Sequence, residues 1–450
     1  NVIAELRGLE RLTWSFALGF GSLGWLVFWL GIAGAFTTAA FWLLLVVGAS
    51  GCWFLRTARL LRIEQKISTW EYAVLAALAA ALFFDLCEGL APPADGDSLA
   101  YHFALPKQFL AAGHIEFVPR AFDGAMPLLV HMTYVPALGL GGEKAMTLWS
   151  MVTGWMMIVS AYALARRFLE RRWSLCIALL MATTPAVVYG GGSGHIEVRL
   201  AIFVLLAGAS IIDSIRLDDL RFTAVGGAAI GFFLGAKYTG LFFAVSAGFA
   251  LLTGLLNNKR RWFIHGAMLA ILTMLSGGQS FVWNWMNSGD PVFPFFYGKL
   301  PYTDPTWWDA AHAQALADYT TNEERGVPID MFWWLAYPFI ATFAGLPIFE
   351  SGRTGFGPFA MMILPLAVIA AWSNIRGRFH RKLIGRIAVL TLIVLVFYCL
   401  RFFSGISQRI RHLMPLYPLA LIVICAAAQQ WCRSHHSWAP LTLAVLLTVG

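Results

Sequence analysis

The feature that most constrains this chain is a series of long apolar runs separated by short basic turns. A helix needs about 20 apolar residues to cross a bilayer, and it satisfies all of its backbone polar groups internally. The runs predict an all-α, polytopic transmembrane helix bundle with about 12–13 spans. The candidate spans are 13–36, 38–55, 71–91, 144–165, 173–190, 196–214, 222–236, 239–256, 262–284, 357–373, 387–402, 412–430 and 439–450.

The composition agrees with a lipid-facing surface. Hydrophobic residues make up 59% of the chain and charged residues only 12%, whereas a soluble domain carries about a quarter charged residues. The formal net charge of +8 could suggest nucleic acid. The basic residues stand in turns between apolar runs, however, which is typical of membrane topology. We therefore predict membrane lipids as partners and no nucleic-acid binding.

The six cysteines form no CxxC motif and no cluster with histidine. A zinc site or a disulfide framework needs clustered ligands. We therefore predict no metal site from the sequence, and dependence on a divalent metal stays open.

Charge in the turns gives the orientation, because short basic loops stay in the cytoplasm. Four turns are short and basic and are predicted to be cytoplasmic. The two longest connections, 92–143 and 285–356, then lie on the outer side of the membrane. We treat 1–450 as a single membrane domain, and we expect it to be truncated at its C-terminus because an apolar run is cut at Gly450. The basic turns carry Arg56, Arg59, Arg62 and Lys66; Arg166, Arg167, Arg171 and Arg172; Lys259, Arg260 and Arg261; and Arg376, Arg378, Arg381, Lys382 and Arg386.

The apolar stretch 331–349 is predicted not to span. If it crossed, the last basic turn would lie outside, against the topology rule. It also contains Pro338 and Pro347, which interrupt helical hydrogen bonding. The stretch is interpreted as an interfacial or re-entrant segment on the outer side.

The first outer loop opens with several ionisable residues. A charge at a membrane face is costly unless it is paired or hydrated, so such residues are functional-site candidates. Asp97 is either the N-cap of a loop helix or an active acid, and the fragment favours neither. The other candidates in this loop are Asp95, Tyr101, His102 and Lys107.

Candidates also occur at three later outer turns. His195 and Glu197 follow four glycines that let the backbone approach a ligand closely; the alternative is a flexible turn with a Glu197–Arg199 pair. Lys237 either reaches the headgroups or holds a phosphate. Before a later helix, Arg411 and His412 are placed to bind an anion, and Arg409 stands beside them.

Carboxylates beside cations suit a hydroxyl nucleophile that attacks next to a phosphate leaving group. The acid accepts the proton and the cations hold the phosphate. The sequence contains no P-loop, Rossmann glycine motif, HExxH or GxSxG, so nucleotide-driven and hydrolytic functions lack their usual residues.

Five stretches, in order along the chain, resemble those of a known family. They are Gly96-Asp-Ser-Leu-Ala-Tyr-His-Phe-Ala-Leu-Pro-Lys107, Ala182-Thr-Thr-Pro185, Gly235-Ala-Lys-Tyr-Thr-Gly240, Asn284-Trp-Met-Asn-Ser-Gly-Asp-Pro-Val-Phe-Pro294 and Gln408-Arg-Ile-Arg-His-Leu-Met-Pro415. Together they resemble the polytopic glycosyltransferases of the GT-C fold, in the branch of the protein O-mannosyltransferases and the lipid A aminoarabinose transferase.

The resemblance implies a GT-C bundle in the bacterial inner membrane, with interfacial helices in its outer loops and an active site on the periplasmic face. It also implies a polyprenyl-phosphate-linked sugar donor, a glycan, lipid or protein acceptor, and inversion at the sugar carbon. Asp97 then corresponds to the catalytic base and Glu197 to a second acid, with Asp95 as a further candidate. Lys237 and Arg411 match positions where the family carries basic residues near the lipid phosphate. Further candidates for phosphate binding are Lys107, Arg409 and His412, and the other site candidates are Tyr101, His102 and His195.

Two other function classes compete with this interpretation. One is a non-catalytic membrane subunit that keeps the fold inside a larger complex. Where relatives show Pro-Trp-x-x-Arg-Asn, this chain has no arginine between Gln279 and Asn284, as expected of such a subunit. The other is a transporter, which would show internal repeats and a midplane site. No repeat is visible, and the charges lie at one face.

Overall fold

The computed structural model describes residues 8–55, 67–118, 125–256, 258–302, 307–349, 355–365 and 381–434. Over these ranges the regular structure is helical, without a β-strand. The prediction of an all-α fold is confirmed. The basic turn 56–66, residues 376–380 of the turn 376–386 and the candidate span 439–450 lie outside these ranges.

Sixteen α-helices are labelled here in chain order. They are α1 Gly8–Ile32, α2 Thr38–Leu55, α3 Thr69–Leu90, α4 Ala104–Ala112, α5 Leu129–Ala165, α6 Arg171–Thr183, α7 Pro185–Gly191, α8 Glu197–Leu217, α9 Leu220–Leu234, α10 Gly240–Gly254, α11 Lys259–Gly277, α12 Gln279–Ser288, α13 Ala310–Asn322, α14 Met331–Phe343, α15 Arg381–Phe403 and α16 Tyr417–Ser434. A π-helical turn, Ser98–His102, precedes α4, and a 3₁₀ turn, Ile410–Leu413, precedes α16.

The described helices include five that are long and apolar enough to cross a membrane: α1, α3, α5, α8 and most of α15. Two bent pairs of helices, α6 with α7 and α11 with α12, are each long and apolar enough to cross a membrane when the two helices are taken together. The bends between them are 63° and 58°. Five shorter apolar helices lie among them. A polytopic bundle is thus confirmed, whereas the count of 12–13 spans stays a prediction.

Helix α8 is the centre of the bundle. It packs against α5, α9, α10, α15 and α16. Of its most apolar 18-residue stretch, 94% is buried inside the protein. A helix that is apolar on all sides is expected to lie inside its bundle. Its first residue, Glu197, is therefore surrounded by the loops that meet at one end of the bundle.

Helix α5 is broken at Gly142, where φ is 70° and ψ is −166°. Glycine adopts a positive φ without steric cost, so it is suited to this break. The part after the break matches the candidate span 144–165. The part before it lies in the predicted outer loop 92–143, and there Leu129 and Tyr134 are fully buried.

The second outer loop contains α14, which covers most of the stretch 331–349. The helix has 13 residues and is thus about 20 Å long, shorter than the ~30 Å hydrocarbon core. Asp330 caps its start by accepting a hydrogen bond from Trp333 N at 2.9 Å. That 331–349 does not span stays a prediction, and the length of α14 is consistent with it.

Candidate active site

Four segments distant in sequence meet at the Glu197 end of α8. They are the turn before the π-helical residues, the start of α8, the α9–α10 connection and the 3₁₀ turn before α16. Their charged side chains form one network, which we call the acid–base cluster. It consists of Asp95, Asp97, His195, Glu197, Lys237, Arg411 and His412.

Asp97 forms an ion pair with Arg411, whose Nη1 donates to Oδ2. The same Nη1 lies 3.3 Å from His195 Nδ1. The Asp97 side chain keeps 33% of its surface exposed, so a ligand can reach it. Asp97 makes no capping hydrogen bond; instead Asp95 Oδ1 accepts from Ser98 N at 2.8 Å. The predicted capping role therefore belongs to Asp95.

Glu197 and Lys237 form a second, more deeply buried pair. Lys237 Nζ donates to Glu197 Oε1, and their side chains are 11% and 3% exposed. His412 Nδ1 lies 3.6 Å from the same oxygen and 3.4 Å from Lys237 Nζ. Burial, followed by repulsion from Lys237, holds the pKa of His412 well below its usual value. His412 is thus a neutral imidazole beside the pair.

His195 links the three carboxylates. Its Nε2 lies 3.3 Å from Asp95 Oδ1, and its Nδ1 lies 4.0 Å from Asp97 and 3.9 Å from Glu197. Burial raises the pKa of Asp95, but hydrogen bonds from His195 and Ser98 outweigh it and lower the pKa to about 2. A carboxylate this acidic is a weak proton acceptor. The Asp97 side chain is also more exposed than that of Asp95, 33% against 10%, so a ligand reaches Asp97 more easily and Asp97 is the better candidate for a base.

A second imidazole group lies behind His195. His102 Nδ1 is 2.8 Å from His131 Nε2, and the His102 ring lies 5.2 Å from that of His195 and 4.0 Å from that of Tyr101. Burial and then the charge of His131 hold the pKa of His102 well below its usual value. Donor atoms of Asp97, His102 and His195 lie within 4.8 Å of one another and could hold a metal ion. Arg411 competes for two of these three residues.

Arg199 holds the glycine turn, residues 190–195, in place through hydrogen bonds to its carbonyl groups. Its guanidinium group is fully buried and donates to the carbonyls of Gly190 and Gly191, both at 2.8 Å, to Ser193 at 3.1 Å, and to His195. Glu197 pairs with Lys237 instead. The alternative prediction of a flexible turn with a Glu197–Arg199 pair is therefore wrong.

Gly194 allows the turn to approach the π-helical residues. Its N–H donates to Ser98 Oγ at 2.7 Å. A Cβ at this position would lie 2.9 Å from Ser98 Oγ and 2.8 Å from His102 Cβ, which is too close. Only glycine fits here, and this contact brings the aspartates next to His195.

Arg409 lies at the edge of the cluster. Its Nε is 3.2 Å from Glu324 Oε1 and its Nη2 donates to Tyr319 Oη at 3.0 Å. Glu324 also lies 4.0 Å from His412 Nε2. Gln408 fixes the position of Glu324, because its Oε1 accepts from Gly326 N and Val327 N at 2.7 and 2.8 Å.

Lys107 has a different partner. Its Nζ is 2.6 Å from Glu143, and the two side chains are 40% and 61% exposed. Within the described ranges, no hydrogen bond or ion pair joins it to the acid–base cluster. Its proposed role in phosphate binding stays a prediction that this geometry does not favour.

Sequence reasoning missed His131 and Glu324. His131 is a buried histidine inside the apolar run 128–136, and an ionisable residue in such a run is itself a signal. Glu324 lies in a polar stretch of the second outer loop without any pattern that distinguishes it. Only its contacts with Arg409 and His412 identify it.

The family model described as dolichyl-phosphate-mannose-protein mannosyltransferase matches residues 132–278. This segment contains His195, Glu197 and Lys237 but not Asp97 or Arg411. No curated protein sequence matches the chain.

Two solved structures are similar over most of the chain. ArnT from Cupriavidus metallidurans bound to undecaprenyl phosphate has 15% identity and a TM-score of 0.55, and the match covers 86% of this chain and 64% of that protein. ArnT from the same organism in the apo state has 17% identity and a TM-score of 0.54, with 85% and 63% covered. The chain thus spans less than two thirds of the length of ArnT. It has the GT-C fold of the membrane glycosyltransferases.

Proposed function

We propose that this protein is a glycosyltransferase that moves a sugar from a polyprenyl-phosphate donor to a hydroxyl acceptor, with inversion. The observation that carries the proposal is the pair of acid–cation contacts, Asp97–Arg411 and Glu197–Lys237, that His195 joins at one end of the bundle. Such an arrangement offers both a proton acceptor and cations for a leaving phosphate.

Asp97 is assigned as the general base. It accepts the proton of the acceptor hydroxyl while the oxygen attacks the anomeric carbon from the face opposite the phosphate. The bond from that carbon to the phosphate oxygen breaks, and the polyprenyl phosphate leaves with the electron pair. Atoms and charge balance without a further reactant. The acceptor, a glycan, lipid or protein, contributes only its hydroxyl group.

Donor binding would change the state of Asp97. Arg411 is bonded to Asp97 in the ligand-free chain, and a donor phosphate competes for the same guanidinium group. When Arg411 turns to the phosphate, Asp97 loses its cation and can accept a hydrogen bond from the acceptor hydroxyl instead. The base would then become effective only when a donor is present.

A lipid-linked donor is supported by the comparison with ArnT, which was solved bound to undecaprenyl phosphate. Apolar helices surround the cluster, so a polyprenyl tail could remain in the bilayer while its phosphate reaches Lys237 and Arg411. We place the site on the periplasmic face of a bacterial inner membrane, because the described turns that are predicted to be cytoplasmic, 166–172 and 259–261, lie at the other ends of their helices.

The experiment measures donor binding and sugar transfer separately, in protein reconstituted with polyprenyl-phosphate sugars. Asp97→Asn is expected to bind donor and to lose transfer. Asp309→Asn is the matched control: Asp309 is an exposed helix cap whose Oδ1 accepts from His312 N at 2.9 Å, and asparagine caps equally well. Normal transfer by Asp97→Asn would exclude Asp97 as the base. Failure of the unmodified protein to bind any donor would favour the non-catalytic subunit instead.

A further inference from the structure

A polar cavity lies at the opposite end of the bundle from the acid–base cluster. Asp213, near this end of α8, is 16 residues after Glu197, a rise of about 24 Å. The cavity has a volume of about 690 Å³, within the range of ~300–1,000 Å³ that ligand pockets occupy. It is enclosed by the start of α3, the α5–α6 turn and the end of α16. Its lining residues are Ser68, Glu71, 166–172, Gln429 and Arg433.

Hydrogen bonds between the three elements hold this cavity open. Ser68 and Glu71 form a capping box at the start of α3. Arg171 binds both carboxylate oxygens of Glu71, each at 2.7 Å. Gln429 Oε1 on α16 accepts from Glu170 N at 3.0 Å. The walls are therefore fixed before any ligand binds.

The lining carries more positive than negative charge, with five arginines against two glutamates. Three of the arginines have carboxylate partners: Arg171 with Glu71, Arg433 with Glu170, and Arg167 with Glu10 and Asp213.

The remaining two, Arg166 and Arg172, have no carboxylate partner among the residues that the structure describes. Arg166 donates to the Leu169 carbonyl at 2.6 Å, and both side chains are exposed. Two guanidinium groups at the cavity are thus available for an anion.

The position of the cavity points to a lipid as the source of that anion. It opens where α3, α5 and α16 begin or end, and the exposed rings of Trp70 and Tyr72 lie beside it on the first turn of α3. Such rings prefer the headgroup level of a bilayer. Phe168 and Leu169 provide a buried apolar side to the same cavity.

We propose that this cavity binds the phosphate of an anionic phospholipid headgroup, with Arg166 and Arg172 as its two cations. The guanidinium fork matches phosphate oxygens in two-point contacts. Basic pockets between helix ends are suited to anionic lipids, which collect at the cytoplasmic leaflet. The site is separate from the acid–base cluster and does not depend on the proposed transfer reaction.

The test uses the whole protein in nanodiscs of phosphatidylcholine with increasing phosphatidylglycerol, and counts retained lipids by native mass spectrometry. Arg172→Gln is compared with Arg260→Gln, a matched loss of an exposed arginine at the start of α11 in another basic turn. We expect Arg172→Gln to weaken phosphatidylglycerol retention about tenfold, because a charge-assisted contact to phosphate is lost. Arg260→Gln should retain the lipid normally.

Equal losses in the two variants would show general surface attraction and overturn the proposal. Complete displacement of the lipid by an equal concentration of inorganic phosphate would also overturn it, because the site would then recognise the free anion. Arg172 has no described partner, so its replacement should leave the melting temperature unchanged. Arg172→Lys should keep part of the retention, since the charge remains without the fork.

Discussion

At the Glu197 end of α8, both cations of the acid–base cluster are paired with acids, whereas at the Asp213 end the arginines outnumber the acids around an open cavity. The two ends differ because their charged side chains are buried to different degrees. Glu197 and Lys237 are almost inaccessible to solvent, and a buried charge that loses its partner is strongly destabilising. Arg166 and Arg172 are exposed and can remain unpaired at low cost.

The comparison indicates two ways to bind an anion. In the acid–base cluster, a ligand must displace a carboxylate from its cation, so binding is coupled to the state of the acid. In the cavity, two cations are already available.

Asp97→Asn should lower the transfer rate by about 10²–10⁴, the usual loss for removal of a general base. Asparagine keeps the size of the side chain but cannot accept the proton. The measurement is single-turnover sugar transfer with saturating donor. A loss of donor binding of the same size would contradict the assignment, since Asp97 would then be needed for binding.

Glu197→Gln should lower the free energy of unfolding by about 3–5 kcal/mol, because Lys237 would be left as a buried, uncompensated charge. The double variant Glu197→Gln with Lys237→Met should recover much of this loss. Unfolding in detergent, followed by circular dichroism, provides the measurement. Additive losses in the double variant would show that the two residues do not act as a pair.

Lys237→Ala and Arg411→Ala should each weaken donor binding by roughly 1.5–3 kcal/mol, the value of a charge-assisted hydrogen bond. Binding of a polyprenyl phosphate without sugar is the appropriate measurement, since it omits the chemical step. Lys107→Ala serves as the control, because Lys107 pairs with Glu143 on an exposed surface. If Lys107→Ala weakens binding as much as the other two, the assignment of the phosphate site is wrong.

Acidification should destabilise the cluster through His412. Its pKa in the folded chain lies well below the ordinary value of 6.5, so the unfolded chain binds more protons as the pH falls. The contribution of His412 to the free energy of unfolding is therefore complete above about pH 6.5. Below that pH, it declines by up to ~1.4 kcal/mol per pH unit. Asp95, with a pKa of about 2, loses its contribution only below about pH 4.

Melting curves between pH 7 and pH 5 measure this slope. His412→Gln should make it shallower without abolishing it, because burial also lowers the pKa of His102. The matched change at His312, which is exposed and bonded to Asp309, should leave it as it was. An unchanged slope in His412→Gln would place the sensitive group elsewhere.

Much of the fold was predictable, because apolar runs and basic turns report directly on the cost of burying backbone and charge in lipid. The same reasoning placed Asp97, Glu197, Lys237 and Arg411 at one face. It could not pair them, since Asp97 and Arg411 lie 314 positions apart and nothing local in either segment specifies the other. Lys107 shows the limit: it shares a motif with Asp97, yet its helix directs it to Glu143.

The hydrogen bonds of Gln408 have a consequence for how this end of the bundle moves. Its side chain satisfies the amides of Gly326 and Val327 and donates to the Val327 carbonyl at 2.8 Å. Although these residues form a loop, their amides should exchange with heavy water as slowly as those of a helix. Any opening that releases Glu324 must therefore carry the segment with Arg409 and His412 along, as one hinged unit.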